Sequence, residues 1–382
     1  MTARVGGRPA GSPPAHTRRP AGAVEIPGND HSGPGHAGSG YAAGGYAGAG
    51  YAAALAEFGR PLALPGSGGW LLERAIGDTG ELDAMGPYPL FACADWSRLS
   101  SDLDALAGSL VSVTLVTDPF GGWSEAMLRG TFDHVVPFKR HFVVDLAAWT
   151  PESATRHHRY YARRALREVR VEVDAEPAAG AAEWTELYET LVSRHDITGL
   201  RRFSAESFRR QLGLPGAVLL RATHRGALVG AQIWFCPLSG RAALGRPAAQ
   251  GVAYSHLAAS NDAGYALGAA YALHWAAIEH FRGLARWLDL GAGAGLVDAV
   301  GPGAGLVATT AAARKKPDGL TAFKAGWTSE TRPVYVCGRI LAPERYRALS
   351  GSTAFGSGPT QSVSPTAYFP AYRTGEFGQE RR

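Results

Sequence analysis

GVAYSHLAASNDAGYALGAAYALHWAAIEHFRGLARWLDLG, residues 251–291, is the stretch that decides the fold. Residues 251–259 read as a strand, NDAG at 261–264 as a turn, and 265–281 as a helix with Leu267, Tyr271, Trp275, Ile278 and Phe281 along one side. RWLDLG at 286–291 follows as a buried strand. Strand, helix, strand is a crossover that lays its two strands parallel. Just before it, VLLRAT (218–223) and LVGAQIWF (228–235) flank a short turn containing Arg225-Gly226 and read as an antiparallel hairpin. The expected fold is therefore α/β (α+β), a mixed, mostly antiparallel sheet flanked by helices.

Outward from this centre, PLFAC (89–93), VSVTLVT (111–117) and HVVPFKRHFVV (134–144) read as strands, with a polar helix over 97–106. A helix is expected over 152–169, with Thr150 as N-cap and Pro151 at its first position. Trp184, Leu187, Tyr188, Leu191 and Val192 mark an amphipathic helix, and Ser204 caps the next. A strand is expected near 241–246. After a glycine-rich loop comes 321–326, and YVCGRIL (335–341) closes the sheet.

Composition bounds the rest. The 382 residues are 46% hydrophobic, enough for one large or two ordinary domains. Residues 1–60 hold 14 Gly, 14 Ala and 6 Pro, which predicts a disordered extension with a short helix over 51–58. Residues 350–382, rich in Ser, Thr, Gly and Pro, read as a disordered tail. The best apolar, charge-free candidate for a span, 263–278, stops at 16 residues with two glycines and a histidine, so no membrane span is expected. No continuous apolar core marks a secretory signal in the N-terminal stretch. Three widely spaced cysteines without C-x-x-C predict neither a disulfide framework nor a zinc site. His16, His31 and His36 lack helical spacing and acidic or thiol company, so they predict no metal. The expectation is a cytoplasmic protein without a metal, whose net charge of +5 is informative only where it clusters.

Four constellations can carry chemistry. The turn and helix start at 261–268, with Asn261, Gly264, Tyr265 and Gly268, offer backbone N–H groups and small residues for a pyrophosphate; an ordinary crossover whose small residues pack is the competing account. Arg156, Arg159, Arg163, Arg167 and Arg170 step along one helical face with few acids, which fits an anionic partner or a solvated face paired elsewhere. LDLGAGAG (288–295) resembles the first glycine motif of S-adenosylmethionine methyltransferases, but it sits late in the chain and no clear helix follows. In GLTAFKAGW (319–327), Lys324 lies between Phe323 and Trp327, either desolvated to stabilise a developing negative charge or snorkelling along Trp327. Tyr254, His256 and His274 are lone polar groups on apolar elements, a pattern that satisfied core residues share with proton acceptors. G-x-S-x-G, G-K-[ST] and H-E-x-x-H are all missing, which removes support for nucleophile-elbow hydrolases, P-loop NTPases and zincins.

LFACADWSRLSSDLDAL, VVPFKRHFVVDL, RHHRYYARRAL, LVGAQIWF, YALHWAAIEHFRGLARWLDLG and GLTAFKAGW, taken in order, resemble the FemAB-like branch of the GNAT superfamily, over about residues 70–349. The resemblance implies tandem GNAT-like units, the first truncated (61–150) and the second complete (151–349). It implies acyl transfer to an amine from acyl-CoA or acetyl-CoA as co-substrate, with strands 251–259 and 286–290 splayed around the donor and the helix start at 261–268 holding its pyrophosphate. The usual donor signature is matched only loosely by NDAGYALG, and no long helical arm for transfer RNA is present. Phe323 and Lys324 match the family's Phe-Lys pair, which the resemblance places at the reacting centre.

The expected activity is thus an N-acyltransferase with a small-molecule or cell-envelope amine acceptor. Lys324, Tyr254, His256 and Asp289 are its candidate catalytic residues. Asn261, Gly264, Tyr265, Gly268, Arg159, Arg163 and Arg167 are the candidate donor-binding residues. An aminoacyl-tRNA-dependent Fem-type transferase is the alternative; methyltransfer, nucleic-acid binding through the arginines and an inactive GNAT scaffold complete the field.

Overall fold

A computed structural model describes residues 45–236, 251–293, 319–351, 368–374 and 376. Its first five strands are β1 Arg60–Leu64, β2 Gly69–Ala75, β3 Leu82–Met85, β4 Ser112–Val116 and β5 His134–Asp145. The others are β6 Arg170–Val173, β7 Ala217–His224, β8 Ala227–Phe235, β9 Val252–Ser260, β10 Trp287–Ala292 and β11 Thr331–Ile340. The described residues place all of them in one sheet, ordered β1-β2-β3-β4-β11-β5-β10-β9-β8-β7-β6. Only β3–β4 and β9–β10 pair in parallel; every other neighbour is antiparallel. The expected mixed, mostly antiparallel sheet is what forms.

The topology is that of tandem units. In the first, α1 (Ala49–Ala54) precedes β1–β3, α2 (Leu99–Asp104) crosses from β3 to β4, and α3 (Glu125–Thr131) leads into β5. In the second, α4 (Arg156–Ala165), α5 (Ala181–His195) and α6 (Ala205–Leu212) surround β6 and precede the β7–β9 meander. There α7 (Asp262–Leu267) and α8 (Ala269–Phe281) cross from β9 to β10, and α9 (Gly319–Ala325) leads into β11, followed by α10 (Pro343–Ser350). The last strands are exchanged: β11 lies against β4, and β5 lies against β10. A boundary at residue 150 therefore divides the sequence but not the sheet.

Burial explains the layers. Trp184, Leu187, Tyr188 and Val192 of α5 and Phe208 and Leu212 of α6 pack on Ile233, Phe235 and Ala259 of one sheet face. Ala162 and Ala165 of α4 and Leu273, Ala277 and Phe281 of α8 pack with Trp234, Leu288 and Leu290 in a second core that includes Trp327. Small residues at the α4 contact let this helix approach closely. Leu71, Phe91, Trp96 and Val113 fill the first unit.

Several expectations are corrected. Residues 45–58 belong to the fold and not to a disordered extension: Tyr46, Tyr51 and Leu55 are buried at 4%, 0% and 0% exposure. Residues 1–44 lie outside the described residues. In the expected tail, Phe369 stacks on His134 and Tyr346, and Arg373 pairs with Asp83, so part of that segment is anchored. PLFAC makes a single bridge, Phe91 to Thr117, and no strand. The helix over 152–169 begins only at Arg156, where the Thr155 hydroxyl accepts from the His158 N–H; Pro151–Ser153 forms a separate 3-10 turn. The expected strand at 241–246 lies outside the described residues.

Candidate active site

β9 and β10 pair at Trp287↔Val252, Leu288↔Ala253 and Asp289↔Tyr254, and then part. Beyond this point β9 follows β8 to Ser260, while β10 shifts register against β5 between Asp289 and Ala292. Tyr254 and Asp289 thus stand at the apex of an open V, projecting to the same face of the sheet.

Asp289 is 2% exposed, and its carboxylate lies 2.8 and 2.9 Å from Nδ1 of His141 on β5. The Gly291 N–H donates to the same carboxylate at 2.7 Å, fixing it from the turn side. Facing a carboxylate, Nδ1 carries a proton, which in the neutral tautomer leaves Nε2 as the acceptor. Nε2 makes no hydrogen bond among the described residues, and it is not a sealed orphan.

Asp118, just beyond β4, reaches the same apex. Its carboxylate accepts from the Tyr254 hydroxyl at 3.0 and 3.1 Å and from the Phe120 N–H at 2.9 Å. Burial pushes its carboxyl up to about 6, and the Asp289 charge adds to that rise against the Phe120, Tyr254 and His141 contributions. Burial, then the Asp118 charge, hold the Tyr254 phenol well above its ordinary range, so it stays a hydrogen-bond donor. Over the apex, the Arg332 guanidinium lies 4.2 Å from the Phe120 ring centre and 4.7 Å from that of Trp287.

His256, two residues along β9, is closed on both sides. Its Nδ1 accepts from the Tyr46 hydroxyl at 3.1 Å, and its Nε2 donates to Gln211 Oε1 at 2.9 Å. Gln211 donates to Ser207 Oγ, and Ser207 donates to the Ala54 carbonyl, so the chain ends satisfied. Burial drives the imidazole down to about 3. His256 is therefore corrected from candidate base to structural core residue.

Lys324 stands at the far lip of the V. Its Nζ donates to the Ala292 carbonyl at 2.6 Å and lies 3.1 Å from where a Cβ on Gly291 would sit. Phe323 beside it packs between Tyr271 and His274, and its carbonyl accepts from His158 Nε2 at 2.7 Å. Burial lowers the His274 imidazole to about 3, with the Lys324 charge acting in the same direction, so His274 is a neutral wall.

No family model matches the sequence, and no curated protein matches it. Among solved structures the chain is similar to FemX, with a TM-score of 0.50 and 13% identity over 78% of this chain and 92% of that one. The fold is the FemAB-like GNAT fold. It is also similar to L-PGS from Bacillus licheniformis (TM-score 0.47, 15% identity, 78% and 93% covered). A tandem GNAT protein from the clavulanic acid biosynthesis pathway, solved without AcCoA, gives 0.36, 15%, 77% and 93%.

The chain departs from the expected donor cradle. The Asn261 side chain itself accepts the Gly264 N–H at 2.9 Å and donates to the Leu228 carbonyl, so it is a cap and an anchor. Gly264 is required by β8: a Cβ there would sit 2.0 Å from the Val229 carbonyl oxygen. Gly268, at φ 72°, breaks the expected single helix into α7 and α8. Tyr265 is exposed and stacks on Arg194. Arg159 turns back to the Ala154 and Pro151 carbonyls, whereas Arg163 and Arg167 are exposed and make no ion pair among the described residues. These residues do not converge on one pocket.

Asp289, Tyr254 and Lys324 do converge around the V. His141, Asp118 and Arg332 complete it and were missed. Their available signal was modest: a histidine and an arginine within apolar strands, and an acid directly after one. Among the described residues no group of His, Cys, Asp and Glu has metal-binding geometry, and no helix is long and apolar enough to cross a membrane.

Proposed function

We propose that the chain is a transferase that moves an acyl group onto an amine at the open V. The observation that supports this reading most is the His141–Asp289 pair at the apex where β9 and β10 part. His141 Nε2 takes a proton from the acceptor's ammonium, with Asp289 fixing the ring and facing the charge that forms. The freed amine attacks the acyl carbonyl carbon. A C–N bond forms, the thioester C–S or ester C–O bond breaks, and the leaving sulfur or oxygen takes the remaining proton from nitrogen. His141 then releases its proton to solvent. Lys324, at the lip, faces the negative charge that develops on the carbonyl oxygen.

Acyl-CoA is the donor in the first form of this reading. The start of α7 fits a pyrophosphate poorly, because Asn261 already takes the Gly264 N–H, so no step is routed through that helix start. One observation favours the second form, an aminoacyl-tRNA donor. Arg156, Arg163 and Arg164 of α4, with Arg167 in the turn after it, lie around the 58% exposed Tyr160 and make no ion pair among the described residues. Calorimetric titration of the full chain with acetyl-CoA and with an aminoacylated tRNA, followed by mass detection of acylated amines, tests both forms. Binding of one donor with formation of an amide product is expected; failure of both to bind or react overturns the transferase reading.

A further inference from the structure

The half-buried Arg332 has a setting unlike that of three other half-buried arginines. Arg286 pairs with Asp145, Arg345 with Glu81 and Arg373 with Asp83. The Arg332 side chain makes no hydrogen bond and no ion pair among the described residues, although its guanidinium carries five donors. It is nevertheless held in place: the Phe120 and Trp287 rings that it covers have centres 5.9 Å apart. On β11, Arg332 is the cross-strand partner of His141. Directly opposed residues of an antiparallel pair project to one face with Cβ atoms about 5 Å apart, so the two side chains leave the sheet as neighbours on the face that carries Asp289 and Trp287.

We infer that Arg332 binds an anionic group on the acceptor, a carboxylate or a phosphate, so that the substrate is an amine carrying its own negative charge. This rests on the reading of the V as the site of amine acylation. The two ends of such a substrate meet opposite fields. Asp118 and Asp289 lie buried at the apex, where the ammonium must arrive before His141 takes its proton. Arg332 lies beside them with an unused planar fork, the geometry that suits a bidentate oxyanion. Because the aromatic faces already fix the guanidinium, little side-chain freedom is lost when the anion binds.

The test uses primary amines in matched pairs, each with and without a carboxylate or phosphate, against wild type, Arg332→Gln and Arg332→Lys. Steady-state transfer and calorimetric binding are measured together, and CoA is titrated as a separate arm. Anionic amines should exceed their neutral partners at least tenfold in kcat/KM and in affinity. Arg332→Gln should erase that advantage, chiefly through KM, and Arg332→Lys should recover part of it. Equal use of both classes by wild type, a preference that survives Arg332→Gln, or no binding of any anionic amine overturns the inference. So does a loss confined to CoA affinity, which would assign the arginine to the donor. Amines that bind with the expected preference but are never acylated would overturn the transferase reading and leave Arg332 in its role.

Discussion

The sheet contains the same motif twice, and the two copies have opposite fates. In the first unit, β3 and β4 pair in parallel at Ala84↔Val113 and Met85↔Thr114, as β9 and β10 do in the second. The chain leaving β3 then doubles back and closes the gap. Gly86 N–H donates to the Thr114 carbonyl, Phe91 N–H to the Val116 carbonyl, and Asp118 N–H to the Phe91 carbonyl. Phe91, Leu115 and Trp96 fill what remains. No comparable backbone bridge closes β9 and β10 among the described residues, and the apex there is lined by Tyr254, Asp289, His141 and Asp118. One copy of the motif thus stays open while the other becomes core.

The strongest way to break this contrast is to disarm the open copy. His141→Gln keeps an amide near Asp289 but removes the proton acceptor. Transfer should fall roughly 10²- to 10⁴-fold, with the melting temperature within a few degrees of wild type and donor affinity unchanged. Single-turnover rates and calorimetry check this together. Wild-type turnover in a folded variant would return His141 to the structural class of His256.

The converse change acts on the closed copy. Phe91 is fully buried, and Phe91→Ala should cost about 3–5 kcal/mol of stability. Transfer per folded molecule should stay within about twofold of wild type. Chemical denaturation and active-site-normalised rates measure the two quantities. A large loss of turnover without a loss of stability would give the first V a part in chemistry.

Local patterns made the second unit legible because its elements are long and joined by recognisable turns. The β7–β8 hairpin turns at Arg225 and Gly226, both at positive φ, and α5 shows its apolar stripe directly. β1, β2 and β3 were not legible: RPLAL, GWLLERA and LDAM are short, and charged residues interrupt them. Gly and Ala dominate residues 45–58 and mask their place in the fold, where Tyr46, Tyr51 and Leu55 are the buried anchors. Asp289 was readable as the acid ending a buried strand. His141 lies 148 residues away from it, and Asp118 lies 136 residues from Tyr254. Such pairings depend on strand exchange, which no local periodicity records.

A smaller effect is expected at the lip of the open V. Lys324→Met keeps most of the stem's volume, so folding should survive within about 1.5 kcal/mol. Removing one charge-stabilising group should lower single-turnover transfer roughly 10²- to 10³-fold. Donor affinity should change less than rate, because the interaction grows toward the transition state. Unchanged turnover in the folded variant would leave Lys324 as a clamp on the Ala292 carbonyl.

The smallest expected effect concerns Asp118, which joins the two copies: it follows the closed V, and its carboxylate accepts from Tyr254 in the open one. Its carboxyl is raised to about 6, chiefly by burial, from an unfolded value near 4. The folded chain therefore holds this proton more tightly than the unfolded chain does. The contribution of Asp118 to stability should be greatest below about pH 4, fall as pH rises from about 4 to 6, and level off above that range. A shift of about two units corresponds to a loss of at most roughly 3 kcal/mol. Asp118→Asn keeps an acceptor for the Phe120 N–H and the Tyr254 hydroxyl but cannot titrate. Other carboxylates also titrate in this window, so the quantity to measure is the difference in unfolding free energy between wild type and Asp118→Asn at each pH. That difference should move against wild type between about pH 4 and 6 and stay constant above. A difference that is flat across the window, or that moves in favour of wild type, would mean that the Asp118 carboxylate is not penalised by burial at the apex. The closed copy would then lend the open one only shape, and not charge.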